Sequence, residues 1–149
     1  MEHAETEGPV AVIARRVKEL RGRKGFTAQE LADKLRAAGV PWDRATVTKL
    51  ETRRRQSVSV VEFMALARVL DVAPVHLLVP LGVEEPYQVT PEEVVPASRA
   101  RLWVRGESAL RGTDPQIFYT ERPIGEVPQV AQLEPAVEIL EPKSKGEED

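Results

Sequence analysis

The sequence predicts an all-α domain of five short helices over residues 11–80, followed by a Pro-rich, acidic, partly disordered C-terminal extension. Two observations predict it. Between Ala11 and Pro80 apolar residues recur at helical spacing, in runs bounded by capping residues, Gly and Pro. Beyond residue 80 lie eight of the twelve prolines, spaced so that no long helix or central strand fits between them.

Ile13, Val17 and Leu20 stand at i, i+4 and i+7 and mark a first helix from about Ala11 to Arg23, ended by Gly25. Thr27 with Glu30 forms a capping box for a second helix, whose buried stripe is Ala28, Leu31, Ala32 and Leu35 and whose stop is Gly39 and Pro41. Asp43 caps a third, Arg44 to about Thr52, and Trp42 just before the cap folds onto Val47 as a hydrophobic staple. Ser59 with Glu62 opens a fourth, carrying Phe63, Leu66, Ala67 and Leu70 as a core stripe. Pro74 starts a short fifth helix to Val79, whose Leu77 and Leu78 close the bundle before Pro80.

The remainder is expected to divide into an extension at 81–112 with a short helix and a largely irregular Pro-rich acidic tail at 113–149. Thr90-Pro91-Glu92-Glu93 reads as a helix start, and Ala97 to Arg105 as a short helix with Trp103 as a packing anchor. Residues 1–10 are expected to be a disordered acidic arm, and Lys143 to Asp149 a disordered polar tail.

The third helix carries the functional signal. At 100° per residue, Thr46, Val47, Leu50 and Glu51 fall on one arc and Arg44, Ala45, Thr48, Lys49 and Thr52 on the other. The second arc has no apolar side chain larger than Ala, so one face packs while the other meets an external partner. Charge agrees with this. The net charge is only -3, but residues 11–80 hold 14 Lys/Arg against 7 Asp/Glu, and residues 81–149 hold 7 against 14. A basic helical half joined to an acidic half suggests a polyanion-binding module with an appendage.

Composition narrows the alternatives. At 149 residues with 42% hydrophobic content, the chain has room for one domain with an appendage, and 5% aromatic content points to a small-residue helical core. No Cys means no disulfide, thiolate metal site or Cys nucleophile. Met1 to Val10 is acidic and has no secretory pattern, and no run approaches membrane-spanning length, so a cytoplasmic protein without membrane contact is expected. His3 and His76 have no metal-ligand partner at helical spacing, and neither a Gly-x-Ser-x-Gly elbow nor a phosphate-cradling Gly loop occurs. No enzyme, cofactor or metal is expected.

Four segments carry a family resemblance: Arg16-Val17-Lys18-Glu19-Leu20-Arg21, Gly25-Phe26-Thr27-Ala28-Gln29-Glu30-Leu31-Ala32, Thr46-Val47-Thr48-Lys49-Leu50-Glu51, and Leu66-Ala67-Arg68-Val69-Leu70-Asp71-Val72 with Leu77-Leu78. In that order and spacing the chain resembles, over about half its length, the Cro/repressor type of helix-turn-helix regulator, the XRE family. The resemblance implies a double-stranded DNA partner, a homodimer, and transcriptional regulation, with repression expected. It implies that Arg44, Ala45, Thr48 and Lys49 face the major groove, with Arg44 and Lys49 suited to guanine O6/N7 and Ala45 and the Thr48 methyl to thymine methyls. Phosphate contacts are assigned to Thr27, Gln29, Thr46, Arg53, Arg54 and Arg55. A carboxylate at Glu51 opposes the helix dipole and wants a cation, and the family's partner for it is Arg21, a structural ion pair.

The chain departs from the family pattern at four places. Asp43 stands where Ser or Thr is usual, Ala28 where Gln often touches the DNA backbone, and Arg53 where Gly is common. The stretch from Ala32 to Trp42 is longer than in relatives, predicting a longer second helix and an extended turn. The rival reading is an antitoxin or other protein-binding regulator whose acidic half, 81–149, engages a protein partner.

Overall fold

A computed structural model of the protein describes residues 5–126. In chain order the elements are α1 (Pro9–Lys24), α2 (Ala28–Ala37), α3 (Arg44–Glu51), α4 (Val60–Val69), α5 (Pro74–Leu78), β1 (Pro86–Thr90), β2 (Glu93–Pro96), α6 (Ala97–Val104) and α7 (Pro115–Thr120).

Helices α1 to α5 enclose the principal core, built from Ile13, Val17 and Leu20 of α1, Leu31 and Leu35 of α2, Val47 and Leu50 of α3, and Leu66, Leu70 and Leu77. These are the apolar stripes expected at helical spacing. Trp42 and Val47, the two halves of the staple, share this core. Both capping boxes form: Thr27 and Ser59 accept from the amides of Glu30 and Glu62, whose carboxylates return to the cap amides. Buried Arg16 pins α1 to α5, its Nε donating to the His76 carbonyl at 3.1 Å.

The helix ends are closed by a repeated device. After α2, α3 and α4 the second residue beyond the cap donates its amide back into the last turn: Val40 to Leu35, Arg54 to Lys49, and Val72 to Ala67. This closure requires a left-handed residue before the donor. Gly39 supplies it after α2 at φ 89, but Arg53 after α3 and Asp71 after α4 adopt it at φ 60 and φ 55 without being glycine. The loop after α3 therefore turns as a Gly would have it turn, although Arg53 occupies the position.

Beyond Pro80 the all-α expectation fails. Thr90-Pro91-Glu92-Glu93 is the turn of an antiparallel hairpin, with Pro86 opposite Pro96, Tyr87 opposite Val95 and Gln88 opposite Val94. Prolines exclude a central strand, but a two-stranded ladder consists of edges, and here they sit at the strand ends and in the turn. Tyr87, Val89 and Val95 supply the aromatic and β-branched residues a strand favours. The hairpin and α6 pack on the bundle through a second cluster, Val12, Val79, Tyr87, Ala97 and Ala100. Arg101 also donates to the Pro80 carbonyl.

Three further expectations are corrected. Helix α1 begins at Pro9, and the Glu7 carbonyl accepts from the Gln88 amide at 3.0 Å, so residues 5–8 lie against β1 instead of forming part of a disordered arm. Trp103 is 36% exposed and does not anchor α6; Ala97 and Ala100, one turn apart, face inward because small side chains let the helix approach closely. Within the stretch expected to be irregular, Asp114 caps the short α7, accepting from the Gln116 amide. Residues 1–4 and the tail 127–149, including Lys143 to Asp149, lie outside the described residues. Among the described residues no helix is long and apolar enough to cross a membrane.

Candidate nucleic-acid interface

Helix α3 is held by its buried side and its two ends. Val47 and Leu50 are fully buried, whereas Arg44, Ala45, Thr48 and Lys49 are all exposed. The Asp43 carboxylate caps the helix, accepting from the Thr46 amide at 2.8 Å and the Thr46 hydroxyl at 2.7 Å. The hydroxyl bond from Thr46, then its amide bond, lowers the Asp43 pKa, so the cap stays ionised beside the exposed face. Thr46 is thus only half-exposed and its proton is committed to the cap. The Thr48 hydroxyl likewise donates to the Arg44 carbonyl at 3.0 Å.

At the other end, Arg21 Nε and Nη2 reach Glu51 Oε1 and Oε2 at 2.6 and 2.9 Å, a bidentate pair joining α1 to the last turn of α3. Arg21 Nη1 donates to the Phe26 carbonyl at 2.8 Å, so the same guanidinium also holds the α1–α2 turn. Hydrogen bonding to Glu51 raises the Arg21 pKa despite partial burial.

The three arginines after α3 have different surroundings. Arg54 is exposed and makes no ion pair among the described residues. Arg53 Nη2 donates to Glu7 Oε2 at 2.6 Å. Arg55 turns inward: its guanidinium lies 4.6 Å from the centre of the Trp42 ring, and its Nη1 is 2.8 Å from Glu62 Oε2. The Trp42 indole donates to the same carboxylate at 2.5 Å. Burial works against ionisation of Glu62, but the Ser59 amide, Arg55 and Trp42 outweigh it and bring its pKa down from 4.5 to about 2.

At the start of α2, Thr27 is occupied by its capping box with Glu30, at 3.1 and 3.0 Å, and the Gln29 side chain donates to Asp33 at 2.9 Å. Both residues are exposed on the outer surface of the helix start. The path from α2 to α3 is fastened by Arg36, whose Nη1 donates to the Trp42 carbonyl at 3.3 Å, and by the burial of Val40 and Trp42. The extended turn is therefore anchored to the core. Sequence reasoning missed Glu7, Glu62 and Trp42 as partners of the basic loop. Glu62 was legible only as a cap, and no local spacing relates Glu7 to Arg53. Among the described residues, no group of three or more His, Cys, Asp or Glu is placed to hold a metal ion.

A short amphipathic helix, capped, stapled and held with its polar face outward by a preceding helix, defines a helix-turn-helix module, the class that places its second helix in the major groove of DNA. Residues 12–79 match the family model described as a helix-turn-helix domain. This segment belongs to that family, and it is of the Cro/repressor (XRE) type. Two solved structures are similar. One is SinR, described as the master regulator for biofilm formation and crystallised in complex with DNA, at 29% identity over 44% of this chain and 95% of that chain, with a TM-score of 0.38. The other is a hypothetical transcription factor, NHTF, from Neisseria, at 30% identity over 54% of this chain and 90% of that chain, with a TM-score of 0.43. No curated protein matches.

Proposed function

We propose that the chain is a sequence-specific transcriptional regulator, a repressor, that binds double-stranded DNA as a homodimer with α3 in the major groove. The observation that carries this reading is the division of α3: Val47 and Leu50 are fully buried while Arg44, Ala45, Thr48 and Lys49 are exposed together on one rigidly held face. Arg44 and Lys49 offer donors to guanine O6/N7, and Ala45 and the Thr48 methyl offer apolar contact to thymine, each good bidentate contact discriminating by about 1–3 kcal/mol. Arg54 is the readiest phosphate contact of the basic loop. Thr27 and Gln29 contribute at the start of α2, where a helix N-terminus favours anions, whereas Thr46 takes no phosphate in this reading because its amide and hydroxyl both serve the Asp43 cap. Arg55 takes a structural role instead, because its guanidinium is spent on Trp42 and Glu62. The dimer follows from energetics: a single half-site read by one short helix gains too little discrimination to select an operator against many competing sites.

Selection from random duplexes at fixed salt tests the reading. It expects enrichment of a two-fold or directly repeated site. A protein that retains all duplexes alike, or none at low salt, overturns it.

A further inference from the structure

We infer that Glu7 is an internal rival of DNA phosphate for Arg53, held in place by the β1–β2 hairpin. The inference rests on the DNA-binding reading above. Arg53 is the residue that turns the chain out of α3, at φ 60, and its guanidinium ends 2.6 Å from Glu7 Oε2. The two residues are 46 positions apart, so the contact is made by the fold and not by local sequence. Glu7 is fixed by two further contacts, and Arg15, which makes one of them, is itself braced. Its Oε1 accepts from Arg15 Nε at 3.1 Å, its carbonyl accepts from the Gln88 amide on β1 at 3.0 Å, and Arg15 also reaches Glu85, just before β1, at 3.0 Å.

A carboxylate presents to a guanidinium the same anionic oxygens that a phosphate does. The Glu7 side chain is 20% exposed and that of Arg53 56%, so the pair is a half-open one, of the kind that contributes little and yields to competition. A phosphate that takes Arg53 gains counterion release as well as the contact. Glu7 therefore lowers affinity for every duplex by the same factor without preventing binding. Because its carbonyl is hydrogen-bonded to β1, any displacement of the hairpin changes how firmly it holds Arg53. This gives the segment after Pro80 a route to the DNA-facing loop.

The test is a salt titration of binding to one arbitrary duplex with the full chain, its Glu7→Gln variant and the Glu7→Gln/Arg53→Gln double variant. Glu7→Gln is expected to bind about 2- to 5-fold tighter at 0.1 M salt with an unchanged slope of log K against log salt, because Arg53 reaches phosphate in both complexes, and the double variant is expected to lose that gain together with about 0.9 of the slope. Gln88→Pro, which removes the amide holding Glu7 on an edge strand where Pro is tolerated, is expected to shift affinity in the same direction. An unchanged affinity in Glu7→Gln, or a gain that survives in the double variant, overturns the inference. A thermal double-mutant cycle on Glu7 and Arg53 without DNA reads the pair itself; additive effects overturn it, whereas failure of the wild-type chain to bind any duplex overturns the DNA-binding reading alone.

Discussion

The guanidinium of Arg21 and the carboxylate of Glu51 meet through two parallel hydrogen bonds, at 2.6 and 2.9 Å, with side chains 21% and 8% exposed. Removing one partner leaves the other charge largely buried. Glu51→Ala is expected to lower stability by about 3 kcal/mol, the lower end for a buried pair because Arg21 retains some solvent. Replacing both residues with Met is expected to cost less than Glu51→Ala alone. Urea midpoints for the wild type and the two variants check this; a double replacement more damaging than the single one would contradict the pairing.

Arg55 separates structure from phosphate contact. With its charge over Trp42 and against Glu62, Arg55→Ala is expected to lower stability by about 1–2 kcal/mol. The salt dependence of DNA binding should stay as in the wild type. A flatter salt slope with unchanged stability would place Arg55 on the DNA instead.

Glu62 has a pH signature. Its folded pKa of about 2 lies below its ordinary value of 4.5, so its stabilising contribution is complete above pH 4.5 and is lost as pH falls toward 2. At 1.36 kcal/mol per unit the full shift would exceed 3 kcal/mol, but the cluster is open to solvent on one side and about 2 kcal/mol is expected. Thermal unfolding of wild type and Glu62→Gln between pH 6 and about 2 reads it. The difference in their stabilities should shrink across that window; a constant difference would refute the linkage.

Asp71 closes α4 in the left-handed region at φ 55. Asp71→Gly is expected to raise stability by about 1 kcal/mol, since Gly meets no Cβ penalty there. Its ion pair with Lys24 spans 4.0 Å at the surface and offers little to lose. A drop in the urea midpoint for Asp71→Gly would contradict this account of the helix end.

What was legible in the sequence was what is local. The boxes at Thr27 and Ser59, the staple of Trp42 on Val47 and the two faces of α3 each depend on residues within about five positions, and helical geometry fixes what they do. The hairpin was hidden because Pro86, Pro91 and Pro96 argue against strands in general, while allowing the ends and turn of a two-stranded ladder. The Glu7–Arg53 and Arg55–Glu62 contacts were illegible for another reason. Which of several carboxylates an arginine meets is decided by how the chain folds back on itself, and charge spacing along it holds no record of that.

On the proposed reading the outer face of α3 reads bases while the loop after it grips the DNA backbone. Binding of wild type, Arg44→Ala, Lys49→Ala and Arg54→Ala is compared across a panel of single-base operator variants at one salt concentration, and on one operator across a salt series. Arg44→Ala and Lys49→Ala should lose discrimination at particular base pairs, by about 1–3 kcal/mol each, whereas Arg54→Ala should weaken every duplex equally and flatten the salt slope by about 0.9. Uniform loss on all sequences for all three variants would contradict it.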